Sequence, residues 1–220
     1  MRLVAALVCL WSGVSCLKAA PAPCPSTGTY ATLMNLNSAG GCTVDALVFS
    51  NFTFSSSQIN GAPQVSASDL DITDLVDSPP GSIGFAFGSI PIMAMPGQAS
   101  DVTVGYTVAS VTGALLIAGA DLTEAGRATP DTGNATIDET VNAVALHTDF
   151  NATPVSMPSD SAVFSAVAAA NVTDHIRAAG GIIGTADISG FSNTFDEAPE
   201  PISALLLLLG LTGIAVRRTL

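Results

Sequence analysis

Between residues 42 and 195 the chain consists of short segments in which apolar and polar side chains alternate, separated by turn signals rich in Pro and Gly. Alternation with a period of two is typical of strands with one buried face. The turn signals lie at 78–81, 95–97 and 129–133. Because no long helical period intervenes, we predict an all-β domain over residues 23–196, an antiparallel β-sandwich that is jelly-roll-like or Ig-like.

Eight to ten short strands fit this pattern. The candidate strands are 42–54, 65–73, 82–89, 101–111, 114–120, 134–150 and 182–195. Three pieces are less defined. Residues 30–36 fit one or two helical turns ahead of a Gly-Gly break, 134–150 fits one bent strand or a hairpin, and 161–170 fits a helix or a strand.

The N-terminal 22 residues have the composition of a signal peptide. Arg2 provides a short basic region, and residues 3–11 form an apolar stretch of the length that a secretory signal needs. Cleavage is expected between Ala19 and Pro23. A lipoprotein-type signal ending at Cys16 is an alternative, although Gly13 replaces the usual leucine. Both versions predict export.

Two cysteines remain after the signal peptide. Cys9 and Cys16 lie within the removed segment, so the mature body contains Cys24 and Cys42, 18 positions apart. In an exported chain such a pair is expected to form one disulfide, which stabilises by about 3 kcal/mol through loop closure. The alternative is a pair of free thiols. With two cysteines and no histidine nearby, a metal site is not expected at this place.

The exported body is strongly acidic. Between residues 23 and 201 it contains 18 acidic side chains against Arg127 and Arg177, a formal charge of −16. Nucleic acid and anionic membrane surfaces both need a positive face, so they are excluded as partners. Divalent cations and basic polymers remain.

The C-terminus, residues 197–220, combines three features in a fixed order. Pro199, Glu200 and Pro201 come first and interrupt any helix. An uncharged stretch of 15 residues follows at 202–216, shorter than the roughly 17 to 25 residues of an ordinary spanning helix. Arg217 and Arg218 then favour a cytoplasmic C-terminus. This arrangement predicts a temporary, single-helix membrane anchor.

The same residues resemble a known sorting signal. Pro199-Glu200-Pro201, the leucine-rich run and Arg217-Arg218 are similar to the PEP-CTERM tail of exported bacterial proteins. The resemblance implies handling by the secretion machinery and by an exosortase, a membrane transpeptidase-like protease. It also implies transient insertion in the inner membrane and a final place at the cell surface or in the extracellular matrix. A permanent tail anchor and a GPI signal are the alternatives.

Catalytic motifs are weak in this sequence. Asp131-Thr132-Gly133 matches the core of an aspartic protease site, but it is a single copy without a preceding apolar strand, which favours a turn. Ser82 follows Pro80-Gly81 and misses the nucleophile elbow. His147 and His175 have no ligand-type spacing. We expect no catalysis and no cofactor.

The densest carboxylate group is the acidic segment, which contains Asp69, Asp71, Asp74 and Asp77. These oxygens are candidate Ca²⁺ ligands, although the spacing is not that of an EF-hand. The alternative is a solvated acidic edge that discourages sheet pairing. The sequence therefore predicts an exported structural or adhesive protein, with contact to extracellular polysaccharide as one form of that role. A carbohydrate- or calcium-binding module is the alternative.

Overall fold

A computed structural model describes residues 21–76, 82–111, 115–128, 132–151 and 157–199. Most of the predicted signal peptide and the tail after Pro199 lie outside these residues, as do Asp77 and Asp131. Among the described residues, no helix is both long and apolar enough to cross a membrane.

The described chain is built almost entirely of strands. A short helix α1 (Tyr30–Asn35) and a 3₁₀ turn (Leu36–Ala39) follow the first strand. The strands are β1 (Thr27–Thr29), β2 (Cys42–Val44), β3 (Leu47–Ile59), β4 (Asp71–Val76), β5 (Ser82–Ala94), β6 (Ala99–Ser110), β7 (Leu115–Ala128), β8 (Asn134–Val141), β9 (Val144–Asn151), β10 (Ser159–Val167), β11 (Ala169–Ala179) and β12 (Ala186–Pro199).

These strands form two antiparallel sheets of six strands each. The first sheet has the order β1-β4-β5-β12-β7-β10, and the second has the order β2-β3-β6-β11-β8-β9. The predicted all-β sandwich is therefore confirmed. The described part contains twelve strands rather than eight to ten, and several have 12 to 14 residues, because runs of Ser, Thr, Gly and Ala extend strands without adding apolar alternation.

Aromatic side chains fill the space between the sheets. Phe49 of β3 packs on Phe85 of β5 with ring centroids 4.6 Å apart. Phe87 and Phe191 stack nearly parallel within the first sheet, at 4.2 Å. Each fully buried side chain of this kind stabilises the fold by about 1.5–3 kcal/mol. No Phe or Tyr of the described residues is exposed.

The ambiguous segments have definite structures. Residues 134–150 form the β8–β9 hairpin, in which Asn142 takes a positive φ of 55° at the turn. Residues 161–170 belong to β10 and β11, which are separated by a bend at Ala168. Helix α1 confirms the predicted helical turns. Two predictions differ from the structure: residues 65–70 precede β4 rather than forming part of it, and residues 181–183 form a turn ahead of β12.

The last strand also runs further than predicted. β12 ends at Pro199, where it pairs with Leu115 of β7. Residues 197–199 therefore belong to the sandwich rather than to the tail, whose expected boundary was after residue 196. The extension follows from backbone pairing, since Glu197, Ala198 and Pro199 stay in register with Ile117, Leu116 and Leu115 of β7.

Both ends of the described chain leave the sandwich on one side, here the proximal end. Pro23 bridges to Thr43, near the start of β3, and Pro199 pairs with Leu115 at the start of β7. The opposite side, here the distal end, contains the turns at 59–61, 95–98 and 180–184. The segments that precede and follow the described chain therefore start from the same pole.

Cys24 and Cys42 form the predicted disulfide, with Cα atoms 4.8 Å apart and both side chains buried. Backbone hydrogen bonds support it, since Cys24 N–H donates to the Thr43 carbonyl at 2.8 Å. The bridge fixes the segment before β1 to the second sheet.

We expect that replacing both cysteines by alanine lowers the free energy of unfolding by about 3 kcal/mol, because the unfolded chain regains the entropy of an open loop. Urea denaturation under oxidising conditions measures the difference. Reduction of the wild-type protein should give a similar loss. Equal stability of the two proteins would contradict this role.

Candidate functional site

The described members of the acidic segment, Asp69, Asp71 and Asp74, do not converge on one point. Asp69 lies in the turn before β4, where its Oδ2 accepts hydrogen bonds from Ser66 N–H at 2.8 Å and from the Ser66 hydroxyl at 2.6 Å. These two bonds lower the pKa of Asp69. Asp71 begins β4 and is exposed, whereas Asp74 faces the opposite side of the strand. Among the described residues, no group of three or more His, Cys, Asp or Glu side chains could hold a metal ion.

The other residues that sequence analysis considered have structural partners. His147 Nδ1 lies 2.7 Å from Asp138 Oδ1 on the exposed side of the β8–β9 hairpin. His175 lies 4.0 Å from Asp101 on the second sheet. The Ser82 hydroxyl is buried and donates to Asp196 at 2.8 Å. The Ser82 hydroxyl is closed off from solvent, and His147 and His175 lie beside carboxylates rather than beside a hydroxyl or thiol.

A group of polar side chains lies in the middle of the core, and we refer to it as the core carboxyl cluster. Its members are Glu139 of β8, Asp174 of β11, Asn193 of β12 and Tyr106 of β6, all at most 3% exposed. Glu139 and Asp174 are direct partners in the β8–β11 register. Directly opposed Cβ atoms are about 4.5–5.5 Å apart, so the two carboxyl groups are within reach of each other.

Asn193 connects the two sheets through this cluster. Its Nδ2 donates to both carboxylate oxygens of Asp174 at 2.9 Å and lies 3.1 Å from the Tyr106 hydroxyl. Three acceptor atoms are left over: both carboxyl oxygens of Glu139 and Oδ1 of Asn193 have no hydrogen-bond partner in the described part of the chain. A buried carboxylate without donors is costly, so a proton on Glu139 is the favourable state.

The electrostatics of the cluster agree with that assignment. Burial, together with the charge of Asp174 and of Asp121, raises the pKa of Glu139 well above its ordinary value. Burial also raises the pKa of Asp174 to about 7, although the Asn193 hydrogen bonds oppose the shift. The pKa of Tyr106 is raised by burial and by Asp174. The pair thus holds at least one proton near neutral pH.

The closed position of this cluster assigns it a role in the fold. Asp174 and Asn193 are 0% exposed, and the groove described below is lined by other residues. Sequence reasoning missed the cluster. The sequence contained a signal for it. Glu139 shares a strand face with apolar Ile137 and Val141, and Asp174 shares one with Val172 and Ile176.

A second buried acid lies in the first sheet. Glu124 of β7 is 3% exposed and accepts a hydrogen bond from the Thr148 hydroxyl at 2.8 Å. Burial raises its pKa to about 7, against the effect of that hydrogen bond. This contact joins β7 to β9 across the sandwich.

The distal end is held rigid by hydrogen bonds between its loops. Gly97 N–H donates to the Gly181 carbonyl at 2.6 Å, and Gly180 N–H donates to the Gln98 carbonyl at 3.0 Å. Thr132 Oγ1 accepts from Ile183 N–H at 3.1 Å and from Gly184 N–H at 3.0 Å. Thr132, part of the motif that resembles a protease core, therefore fixes the turn at 180–184.

Glycines allow this close approach. A Cβ on Gly180 would lie 2.1 Å from the Met95 carbonyl oxygen, and Gly181 has a φ of 62°. Gly181 would also place a Cβ 2.2 Å from the Thr132 carbonyl oxygen. The turn consequently presents Ile182 and Ile183 to solvent, at 81% and 66% exposure.

A shallow groove of about 480 Å³ lies beside this turn, lined by Met93 of β5, by Met95 just after that strand and by Asp187 of β12, among others. Asp187 of β12 lies directly opposite Met93 of β5 on one side and Arg127 of β7 on the other. The three side chains therefore form a row on the outer face of the first sheet. We define the distal patch as Met93, Met95, Ile182, Ile183, Asp187 and Arg127.

Comparisons with known proteins give little guidance. No protein-family model matches the chain, and no curated protein matches it in sequence. The enzymatically active domain of bacteriophage CBA120 tailspike protein 4 is 13% identical over 65% of this chain, with a TM-score of 0.29. This chain spans about a fifth, 19%, of that protein. TmCBM61, solved in complex with beta-1,4-galactotriose, is 8% identical over 67% of this chain and 88% of its own, with a TM-score of 0.25.

Proposed function

We propose that the chain is an exported bacterial surface or extracellular-matrix protein with a structural or adhesive role and without catalysis. The secretion machinery translocates it, and an exosortase processes the tail at Pro199, Glu200 and Pro201. The segment at 202–216, followed by Arg217 and Arg218, anchors it transiently in the inner membrane.

The observation that carries this proposal is the buried Cys24–Cys42 disulfide. Disulfides form and persist in oxidising compartments outside the cytoplasm, which agrees with a signal peptide at 1–22. The charge of −16 favours the solubility of an exported protein. In the part of the chain that the structure describes, the candidate groups Ser82, His147 and His175 are either closed in the core or paired with acids on the surface, which favours a structural role.

The alternative, a carbohydrate- or calcium-binding module, has less support. Sugar-binding surfaces commonly use the faces of aromatic rings, and every Phe and Tyr of the described residues is at least partly buried. Calcium binding requires converging oxygen ligands, and Asp69, Asp71 and Asp74 point to different surroundings.

The C-terminus of the protein recovered from its native host tests the proposal. We expect intact mass and C-terminal peptide sequencing to show a chain that ends between Pro199 and Pro201. The double substitution Glu200→Ala, Pro201→Ala should preserve Leu220 and retain the protein in the membrane, because it removes the recognised motif.

The double substitution Pro63→Ala, Asp71→Ala is a matched control, because it removes an exposed proline and an exposed acid elsewhere. It should be processed as the wild type is. A wild-type chain that still ends at Leu220 would mean that 202–216 is a permanent anchor and that the exosortase proposal is wrong.

A further inference from the structure

We propose that the distal patch is a self-association surface whose partner is a second copy of this chain, related by a two-fold axis. The patch combines four exposed apolar side chains with one basic and one acidic side chain that are neighbours across β7 and β12. Export does not require this self-association. It can be tested whether or not the tail is processed.

The apolar part of the surface is presented in a fixed conformation. Ile182 and Ile183 lie on a turn whose backbone is bound to Thr132 and to the 95–98 turn. Met93 and Met95 are 44% and 56% exposed on the adjoining strand end. A rigid surface loses little conformational entropy on binding, which favours association.

The charged part is complementary to itself. In a dimer with a two-fold axis, every contact between two different residues occurs twice. Arg127 of the first copy can therefore face Asp187 of the second, while Asp187 of the first faces Arg127 of the second. In the described part of the chain neither side chain has a salt-bridge partner. Both are therefore available for such a pair.

The charge distribution favours a second copy over other partners. Arg127 and Arg177 are the only basic residues between positions 19 and 216, and both lie near the distal end. Elsewhere two copies would repel each other, and an acidic partner would be repelled as well. A basic partner would prefer the acidic faces of the sandwich to the area around Arg127.

Charge reversal in the full chain tests this geometry. Two differently tagged copies are mixed in a non-ionic detergent, and capture of one tag is followed by quantitation of the other. We expect the wild type to co-capture itself. Arg127→Glu and Asp187→Arg should each reduce capture of a like copy by about tenfold or more, because like charges then face each other. Mixing the two variants should restore capture.

Apolar substitutions distinguish the patch from the tail as the cause of association. Ile182→Ser with Ile183→Ser should abolish capture, whereas Val163→Ser should leave it unchanged, because Val163 is 89% exposed on the edge strand β10, outside the patch. Three results would overturn the proposal. The first is a wild type that shows no capture even when its concentration is about 100-fold above the detection limit of the assay. The second is capture that is the same for every variant, and the third is failure of the mixed variants to associate. Binding of a monomeric wild type to neutral phosphatidylcholine vesicles through Ile182 and Ile183 would do the same, by identifying the partner as lipid.

Discussion

Substitution of Asn193 by leucine is expected to lower the free energy of unfolding by about 4 kcal/mol at pH 8. The change removes the Nδ2 donor that binds both oxygens of Asp174 and leaves a buried carboxylate without a partner. At pH 5 the loss should be smaller, because Asp174, whose pKa is about 7, is then mostly protonated. Urea denaturation at the two pH values measures both losses.

Asn171→Leu is the matched control for this variant. Asn171 lies on the outer face of β11, where its Oδ1 accepts a hydrogen bond from the Thr107 hydroxyl at 2.9 Å in an exposed position. We expect a change within about 1 kcal/mol, equal at both pH values. If the two variants lost the same stability, Asn193 would not be the bridge between the sheets that its contacts indicate.

The second large effect is a decrease in stability as the pH rises. Asp174 and Glu139 both have a pKa that is higher in the folded than in the unfolded protein. Above about pH 4 the unfolded chain releases these protons while the folded chain retains them, so the unfolded state is favoured progressively. The pKa of Asp174 rises from 3.8 in the unfolded chain to about 7 in the folded protein. Asp174 alone therefore lowers the free energy of unfolding by about 4 kcal/mol between pH 4 and pH 7. Glu139 extends the decrease to higher pH.

Glu139→Gln separates the two carboxyl groups. The amide keeps the volume of the side chain and cannot ionise. We therefore expect the variant to be more stable than the wild type at pH 8, because only the unfolded wild type gains free energy by releasing the Glu139 proton. At pH 4 the two proteins should be nearly equal. Asp138→Asn, on the exposed side of the same strand, should shift stability by less than about 1 kcal/mol. A wild-type stability that is constant from pH 4 to pH 8 would contradict the assignment of protons in the cluster.

Much of the fold was predictable, because apolar residues at every second position of a strand identify its buried face. In β3, Leu47 and Phe49 are both buried, and the next buried side chain is Phe52, at an even position. The parity changes at a bulge, where Asn51 takes a φ of 56° and the register with β6 shifts. The sequence thus contained the bulge as well as the strand, although only the strand was predicted.

The core carboxyl cluster was harder to predict. Glu139 and Asp174 each occupy a position that alternation assigns to the buried face, but their pairing depends on β8 and β11 being neighbours, which neither sequence segment specifies. Asn193 reaches Asp174 from the opposite sheet, so its role depends on how the two sheets pack. The acidic segment was more visible in the sequence, yet its side chains are dispersed by the turn at Ser66 and by the pleat of β4.

The position of β12 determines how the domain would resist tension. This strand lies between β5 and β7, antiparallel to both, and its C-terminal residue Pro199 is the point from which the tail continues. A force applied through the tail along the strand acts on the hydrogen bonds to both neighbours in shear, so that they share the load rather than breaking one after another. If the domain is anchored through the tail as proposed, this connection and the Cys24–Cys42 bridge at the same pole would place the load on both sheets.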